Sequence, residues 1–305
     1  MRILIVGAGA TGGAYGARLL EAGRDVTFLV RERRAEQLRS EGLRFRDPHG
    51  ESRYDVRAIT EVDGTYDVIV VAVKAPALPA VIEQILPAVG ESTTIVPLLN
   101  GMRHIDDLSE AFPGRVVGGI VKIIGTIDET GTVIQLTRMC AMILGSLDDR
   151  ELPAGLAEAF DVPGVTLTVD DSIVDRLWEK WSFIVSAGVV TCLFRGEVGD
   201  VIAGGGEPLV LQAIAEAESV AAAAGHPINQ VSHDQGVQTL TTPGSRFTSS
   251  LYRDLQQGDP LEAEHLLGDM AERARSFGLD TPLLDATLVQ VRAHQHARTR
   301  QNSHS

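Results

Sequence analysis

Residues 2–34 read RILIVGAGATGGAYGARLLEAGRDVTFLVRERR, and this stretch decides the fold. Arg2 to Val6 is a short apolar run, and Gly7-Ala8-Gly9-Ala10-Thr11-Gly12 follows it directly. A helical stretch from Gly13 to Ala22 and a second apolar run from Val26 to Val30 complete the pattern. Strand, glycine turn, helix and strand in this order turn a GxGxxG match into a dinucleotide-site prediction. Gly7 makes the tight turn, Gly9 admits backbone to a pyrophosphate, and Gly12 lets helix and strand approach closely. The N–H groups of Ala10, Thr11 and Gly12 open the helix, where the dipole favours phosphate.

The residues after the second strand bear on which dinucleotide is bound. An NAD site places an acid there for the ribose 2′-hydroxyl, whereas NADP needs a cation for the 2′-phosphate. Arg31 follows Val30 at once, and Arg33 and Arg34 add positive charge. An Arg fork matches phosphate geometry, so the sequence favours NADP. Glu32 keeps an NAD-type acid in view, and a solvated basic helix start is the plain alternative.

The chain has 305 residues, 44% of them hydrophobic, enough for one large domain or two. A net charge of −14 argues against a nucleic-acid binder, which carries a basic face, and gives no reason to expect a membrane partner. No window is expected to reach the roughly 18 apolar residues of a membrane span. The N-terminus lacks the layout of a signal peptide. Cys140 and Cys192, without metal-type spacing, fit a reducing cytoplasm and buried hydrophobic positions. Of 27 basic residues only Lys74, Lys122 and Lys180 are lysines. Such a chain can reserve lysine for places needing a compact, titratable ammonium, although genome composition also produces this bias.

Continuous apolar runs at 67–73 and 93–99 read as strands buried on both faces. Shorter strands are expected near 116–124, 132–136, 142–144 and 165–169, with 43–45 and 56–59 forming a small antiparallel excursion. A helix is expected from Pro76 to about Leu86. From Ser172 onward the pattern is helical, with further helices at 207–224, 231–240, 249–256, 260–277 and 282–294, and a frayed tail after Ala297. The fold class is α/β: a mostly parallel, helix-flanked dinucleotide-binding domain over 1–170, then an all-helical domain over 171–305.

Lys74 and Asn100 each follow a buried strand, at the end where parallel sheets bind ligands. A solvated loop lysine and an Asn-Gly turn are the structural alternatives. Lys180 falls among Leu177 and Ile184 on the apolar face of its helix, where a lysine has either a task or a snorkelling head. In a partly desolvated cleft such an ammonium can give up a proton. Asp259-Pro260-Leu261-Glu262 fits a capping box with Asp259 as cap, the favoured reading of Glu262 on pattern alone. Ser250 and Asp254 share a helix face. The histidines show no metal-ligand spacing, and no metal is expected.

Taken together, GAGATG with Arg31, Lys74 in VAVKA, Asn100 in LLNGM, Leu177-Trp178-Glu179-Lys180, Ser249-Ser250-Leu251 with Asp254, and Glu262 resemble the ketopantoate reductase (2-dehydropantoate 2-reductase) family over nearly the full length. The resemblance implies a Rossmann-type domain followed by a helical one, and NADPH held by Gly7, Gly9, Gly12, Arg31 and Lys74. It places Asn100 beside the nicotinamide and the reacting carbonyl, makes Lys180 the general acid, and sets Glu262 and Ser250 to contact substrate. The implied reaction is NADPH-dependent reduction of a small 2-oxo acid, 2-dehydropantoate above others, in pantothenate biosynthesis.

Departures from the family pattern bear on the substrate. Asparagines that members carry one and two turns after the lysine are Ile184 and Gly188 here, and another before the serine is Phe247. Losing amides removes hydrogen bonds that a hydroxylated substrate would use. A reductase for a more apolar 2-oxo acid, of mandelate or branched-chain type, is therefore an alternative, as is an NADPH-binding protein without catalysis. Lys122, in GGIVKIIG, is either a carboxylate anchor or structural. Acidic enzymes of this size occur as monomers and as homodimers, and no interface signal stands out.

Overall fold

The computed structural model describes residues 1–148, 150–259 and 261–302. The chain forms two compact units. The first holds 1–99 and 104–174; the second holds Asn100–Arg103 and the chain from Asp175 on.

In the first unit, β1 (Arg2–Val6) is central. It is followed by α1 (Ala10–Glu21), β2 (Asp25–Leu29) and α2 (Glu32–Glu41). Next come β3 (Leu43–Asp47), β4 (Gly50–Tyr54), β5 (Arg57–Ile59) and β6 (Tyr66–Val71). After a short 3₁₀ turn at Ala75–Ala77 the chain runs through α3 (Leu78–Ile85), β7 (Val89–Pro97) and α4 (Arg103–Ala111, whose first residue belongs to the second unit). β8 (Val117–Ile127), β9 (Val133–Ser146), α5 (Leu156–Phe160) and β10 (Thr166–Val169) close the unit.

Five strands form a wholly parallel sheet in the order β5-β2-β1-β6-β7. Alternation along β1 explains its burial on both faces. Ile3 and Ile5 enter one apolar cluster with Phe28, Val68 and Val70, whereas Leu4 and Val6 enter another with Leu29, Ile69 and Val71. Each such side chain contributes about 1.5–3 kcal/mol on burial. The strand order reverses direction at β1/β6, and ligands of open parallel sheets bind at such a switch point.

A second five-stranded sheet stands beyond the sequence expectation. β3 pairs antiparallel with β4, not with 56–59, and β5 instead extends the parallel sheet beside β2. The two short runs expected near 132–136 and 142–144 are one 14-residue strand, β9. It pairs antiparallel with β8 and parallel with β3 and β10. Local periodicity missed this because β8 and β9 carry a register irregularity between Ile123 and Gly125. α1 touches both sheets. Its Tyr15 hydroxyl donates to the Ala141 carbonyl at 2.6 Å, and Gly13 is backed so closely by Val133 that a Cβ would lie 2.5 Å from it.

The second unit is helical: α6 (Ile173–Phe194, beginning two residues before the unit), α7 (Val198–Ala203), α8 (Glu207–Ala223), α9 (Gln230–Thr241), α10 (Ser250–Gln257), a π-helical turn at Glu264–Gly268, α11 (Asp269–Ser276) and α12 (Pro282–Asn302). α12 continues through the residues expected to fray. α6 also corrects the hydropathy reading, because an 18-residue window of it has mean hydropathy 1.3 and is apolar enough to cross a membrane. Two-thirds of that window (67%) is buried inside the fold, as in a core helix. Trp181, fully buried, and Trp178 lie in it with ring centroids 5.0 Å apart. Both cysteines are free and buried, and burial pushes the Cys192 thiol up to about 12.

One ion pair braces α1 against the second sheet. Arg18 donates to Asp47 with only 11% and 8% of the two side chains exposed, and its guanidinium lies 4.9 Å over the Phe45 ring. Burial alone would raise the Asp47 carboxyl. The Arg18 hydrogen bond, with those from the His49 and Gly50 amides, outweighs it and holds Asp47 below the ordinary value. Since the folded state favours the carboxylate, this contribution is present above the unfolded pKa of about 4 and is lost as pH falls through the folded value. Asp47→Asn is expected to cost about 2 kcal/mol at neutral pH. Urea unfolding at neutral and strongly acid pH should show the gap from wild type closing in acid.

Candidate functional site

The glycine turn follows from β1 running out at the switch point. Gly7 adopts φ +98°, a left-handed conformation, and its N–H donates to the Leu29 carbonyl at 3.0 Å. The Ala72 N–H donates to the Val6 carbonyl at 2.9 Å, which fixes the end of β6 beside the turn. α1 begins with Gly9 as a cap that lacks a side-chain hydrogen bond, and the first intrahelical bond runs from the Gly13 N–H to the Gly9 carbonyl at 2.8 Å. The N–H groups of Ala10, Thr11 and Gly12 therefore precede the helical ladder and are available to an anion.

The two close-approach glycines differ in kind. A Cβ on Gly12 would lie 2.1 Å from the Gly7 carbonyl oxygen and 3.0 Å from the Ala72 Cβ. A Cβ on Gly9 would meet nothing within 4 Å. Gly12 is thus demanded by the packing of α1 on the turn, whereas the space over Gly9 is left open by the protein itself. That open cradle at a helix start fits a dinucleotide pyrophosphate.

Arg31 caps α2, is exposed, and accepts from the Arg34 and Ala35 N–H groups through its carbonyl. Arg34, grouped with it on sequence, has a different job. Its guanidinium donates to the carbonyls of Gly131 at 2.8 Å and Ala8 at 3.2 Å, and burial lowers its pKa. It braces the glycine turn from below, a role without a sequence signal because Gly131 lies 97 residues away. Lys74 follows β6, is exposed, and opens the 3₁₀ turn through its carbonyl. Lys122 stands exposed on β8, opposite Ala141 in register.

In the second unit Lys180 is half-buried on α6, with Ile184 half-buried one turn on. The residues on either side of Lys180 hold the helix rotation. Glu179 accepts from Arg176 at 2.7 Å, from the Ser232 hydroxyl at 3.0 Å and from Asn229, the cap of α9. Trp181 Nε1 donates to the Leu266 carbonyl at 3.1 Å, in the π-helical turn. Arg273 stacks 5.7 Å over Trp178 and 5.5 Å over Trp181. Four residues before Leu266, half-buried Glu262 accepts the Leu266 N–H at its carbonyl. The Trp181 bond thus ties the lysine helix to the segment carrying Glu262.

The capping box is not formed. Helical geometry begins at Ala263, and the Asp259 N–H donates instead to the Asp254 carbonyl at the end of α10. Pro260 lies outside the described residues. Ser249 is the cap of α10, accepting from the Tyr252 N–H and sharing a 2.7 Å bond with Thr191, which leaves Ser250 exposed on the first turn.

Gly188 and Phe247, set apart in the sequence reading, have apolar neighbours. A Cβ on Gly188 would lie 3.4 Å from Leu267 and 3.5 Å from Leu251, and the Phe247 ring packs 6.1 Å from Phe183. Among the described residues no cluster of His, Cys, Asp or Glu has the arrangement to hold a metal.

The family model for ketopantoate reductase PanE/ApbA matches residues 3–149, and that for its C-terminal part matches 172–295. The chain belongs to the ketopantoate reductase family. Its members are NADPH-dependent oxidoreductases acting on a CH–OH group. An uncharacterized oxidoreductase, YkpB, of Bacillus subtilis (strain 168) is 31% identical over 300 residues, covering 97% of this chain and 99% of that protein. A 2-dehydropantoate 2-reductase of Mesorhizobium japonicum is 28% identical over 96% of this chain and 97% of its own. Among solved structures, 2-dehydropantoate 2-reductase from Geobacter metallireducens GS-15 superposes with a TM-score of 0.86 at 27% identity, covering 96% of this chain and 99% of that one.

The glycine geometry separates folding from cofactor binding. Gly9→Ala is expected to keep the wild-type melting temperature and to lose NADPH affinity, because its methyl enters the cradle alone. Gly12→Ala should lose both, at a folding cost of about 1–3 kcal/mol for overpacking. Thermal melts with and without NADPH distinguish the two.

Proposed function

We propose that this ketopantoate reductase family member reduces a small 2-oxo acid to its 2-hydroxy acid with NADPH, and that 2-dehydropantoate is the first substrate to test. The observation that carries the reading is Lys180, half-buried on a helix locked on both sides by Glu179 and Trp181. Bound NADPH supplies the hydride that goes to the keto carbon. The chain's residues manage the charge and the proton. As negative charge builds on the carbonyl oxygen, the Lys180 ammonium stabilises it and transfers one N–H proton to it, giving the alcohol and a neutral amine that solvent reprotonates. Asn100 donates a second hydrogen bond to that oxygen. Glu262 and Ser250 hold the substrate. Gly7, Gly9, Ala10, Thr11 and Gly12 receive the pyrophosphate, Arg31 the 2′-phosphate, and Lys74 borders the same cofactor.

The packing of Gly188 on Leu267 and Leu251, with Ile184 one turn from Lys180, supports a second reading for the substrate. Apolar groups there favour a 2-oxo acid with an apolar tail, since no amide answers a hydroxyl.

NADPH oxidation at 340 nm with a panel of 2-oxo acids tests both readings. Lys180→Ala is expected to lower kcat about 10²–10⁴-fold, the usual worth of a general acid. Turnover of 2-dehydropantoate supports the first reading, and turnover confined to apolar 2-oxo acids the second. Silence across the panel with intact NADPH binding would point to a protein without this catalysis. Arg31→Ala should narrow the preference for NADPH over NADH about 10- to 100-fold, the worth of a charged hydrogen bond.

A further inference from the structure

Residues Asn100–Arg103 follow a strand of the parallel sheet, yet their contacts place them in the helical unit. Two attachments hold them there. His265 Nε2 lies 2.9 Å from the Asn100 carbonyl oxygen, and Arg103 donates to Asp269 at 3.3 Å and to Glu272. Asp269, only 3% exposed, is also bound by Arg273 at 3.2 Å. The Asn100-Gly101 turn is thus pinned at one end by an imidazole and at the other by a guanidinium.

The His265 contact has a definite chemistry. A carbonyl only accepts, so Nε2 carries the proton; the neutral ring is then the Nε2–H tautomer, and protonation at Nδ1 leaves the bond in place. The ring also backs the turn, because a Cβ on Gly101 would lie 3.3 Å from its Cδ2 and Nε2 atoms. His265 stands in the π-helical turn Glu264–Gly268, one residue before Leu266, whose carbonyl receives the Trp181 indole. A π turn adds a residue to the α-helical repeat and re-aims the side chains on it, which is why such turns recur at functional sites. Asn100, Trp181 next to Lys180, and Glu262 are therefore all fixed to one short segment, 262–266.

We propose that His265 is a positioning residue: by donating Nε2–H to the Asn100 carbonyl it sets the turn from which the Asn100 amide reaches the reacting oxygen. This rests on the assignment of Asn100 to the reaction above. It adds a residue that pattern reading did not single out.

Three variants of the full-length protein test it. His265→Ala removes donor and ring, His265→Phe keeps a ring without a donor, and His265→Gln keeps a donor. Hydrogen–deuterium exchange of the 98–105 segment, read in the free protein, should quicken in the Ala and Phe variants and stay near wild type in Gln. With an active 2-oxo acid, kcat should fall about 10- to 100-fold in Ala and Phe, the scale of a displaced reacting group. The KM for NADPH should hold, and Gln should recover most of the rate. A residue that only supported folding would lower the melting temperature without separating Phe from Gln. Unchanged exchange at 98–105 in His265→Phe overturns the proposal, as does altered exchange with an unchanged kcat. If wild type turns over no 2-oxo acid, the functional reading fails, while the exchange pattern still decides whether His265 holds the turn.

Discussion

The carbonyl oxygen of Gly7 occupies the place where a side chain at residue 12 would have to go. The rest of the first unit depends on this contact. It brings the start of α1 against the ends of β1 and β6, so that the unpaired N–H groups of the first turn face the switch point of the parallel sheet. It also fixes α1 in height, which sets Tyr15 and Arg18 against the second sheet. A helix pressed on one sheet by glycine and tied to another by a hydroxyl and an ion pair has little freedom to move. Rigidity of that kind is what preorganised phosphate binding requires.

The helical unit solves a different problem, that of holding an ammonium in a half-buried place. Lys180 is flanked by two residues whose polar atoms are bound: Glu179 by Arg176, Asn229 and Ser232, and Trp181 by the Leu266 carbonyl. A helix with such neighbours cannot rotate without breaking the buried Trp181 bond and the part-buried bonds of Glu179. Removing one partner from such a network costs more than the bond itself contributes, because the other is left buried and unpaired. Two turns further on, a Cβ at Gly188 would be in ordinary contact with Leu267 and Leu251, so this stretch of the helix has apolar neighbours.

Much of the cofactor half was legible along the chain. The glycine turn, its two flanking strands and the arginine after β2 are encoded within about 30 residues of one another, where turn geometry and burial on both faces leave local marks. Arg34 shows the limit. Its position among arginines suggested phosphate, and its partners include the Gln37 side chain and two backbone carbonyls, one of them 97 residues away. The capping box at Asp259 failed in the other direction. The pattern was present, but the Asp259 N–H was taken by Asp254, and the helix began later.

By itself the sequence determined the α/β class, the dinucleotide turn and the change to helices after about residue 170. These follow from periodicity and from residue types that few other geometries need. The tertiary structure decided what pairs across long separations. The run at 43–45 reads as a strand, but its partners are β4 and, some 90 residues later, β9, not the expected 56–59. Asn100 is fixed through His265, 165 residues on. Such contacts leave no local trace, because hydrogen bonds between distant segments are selected by how the packed elements meet and not by the pattern within either one.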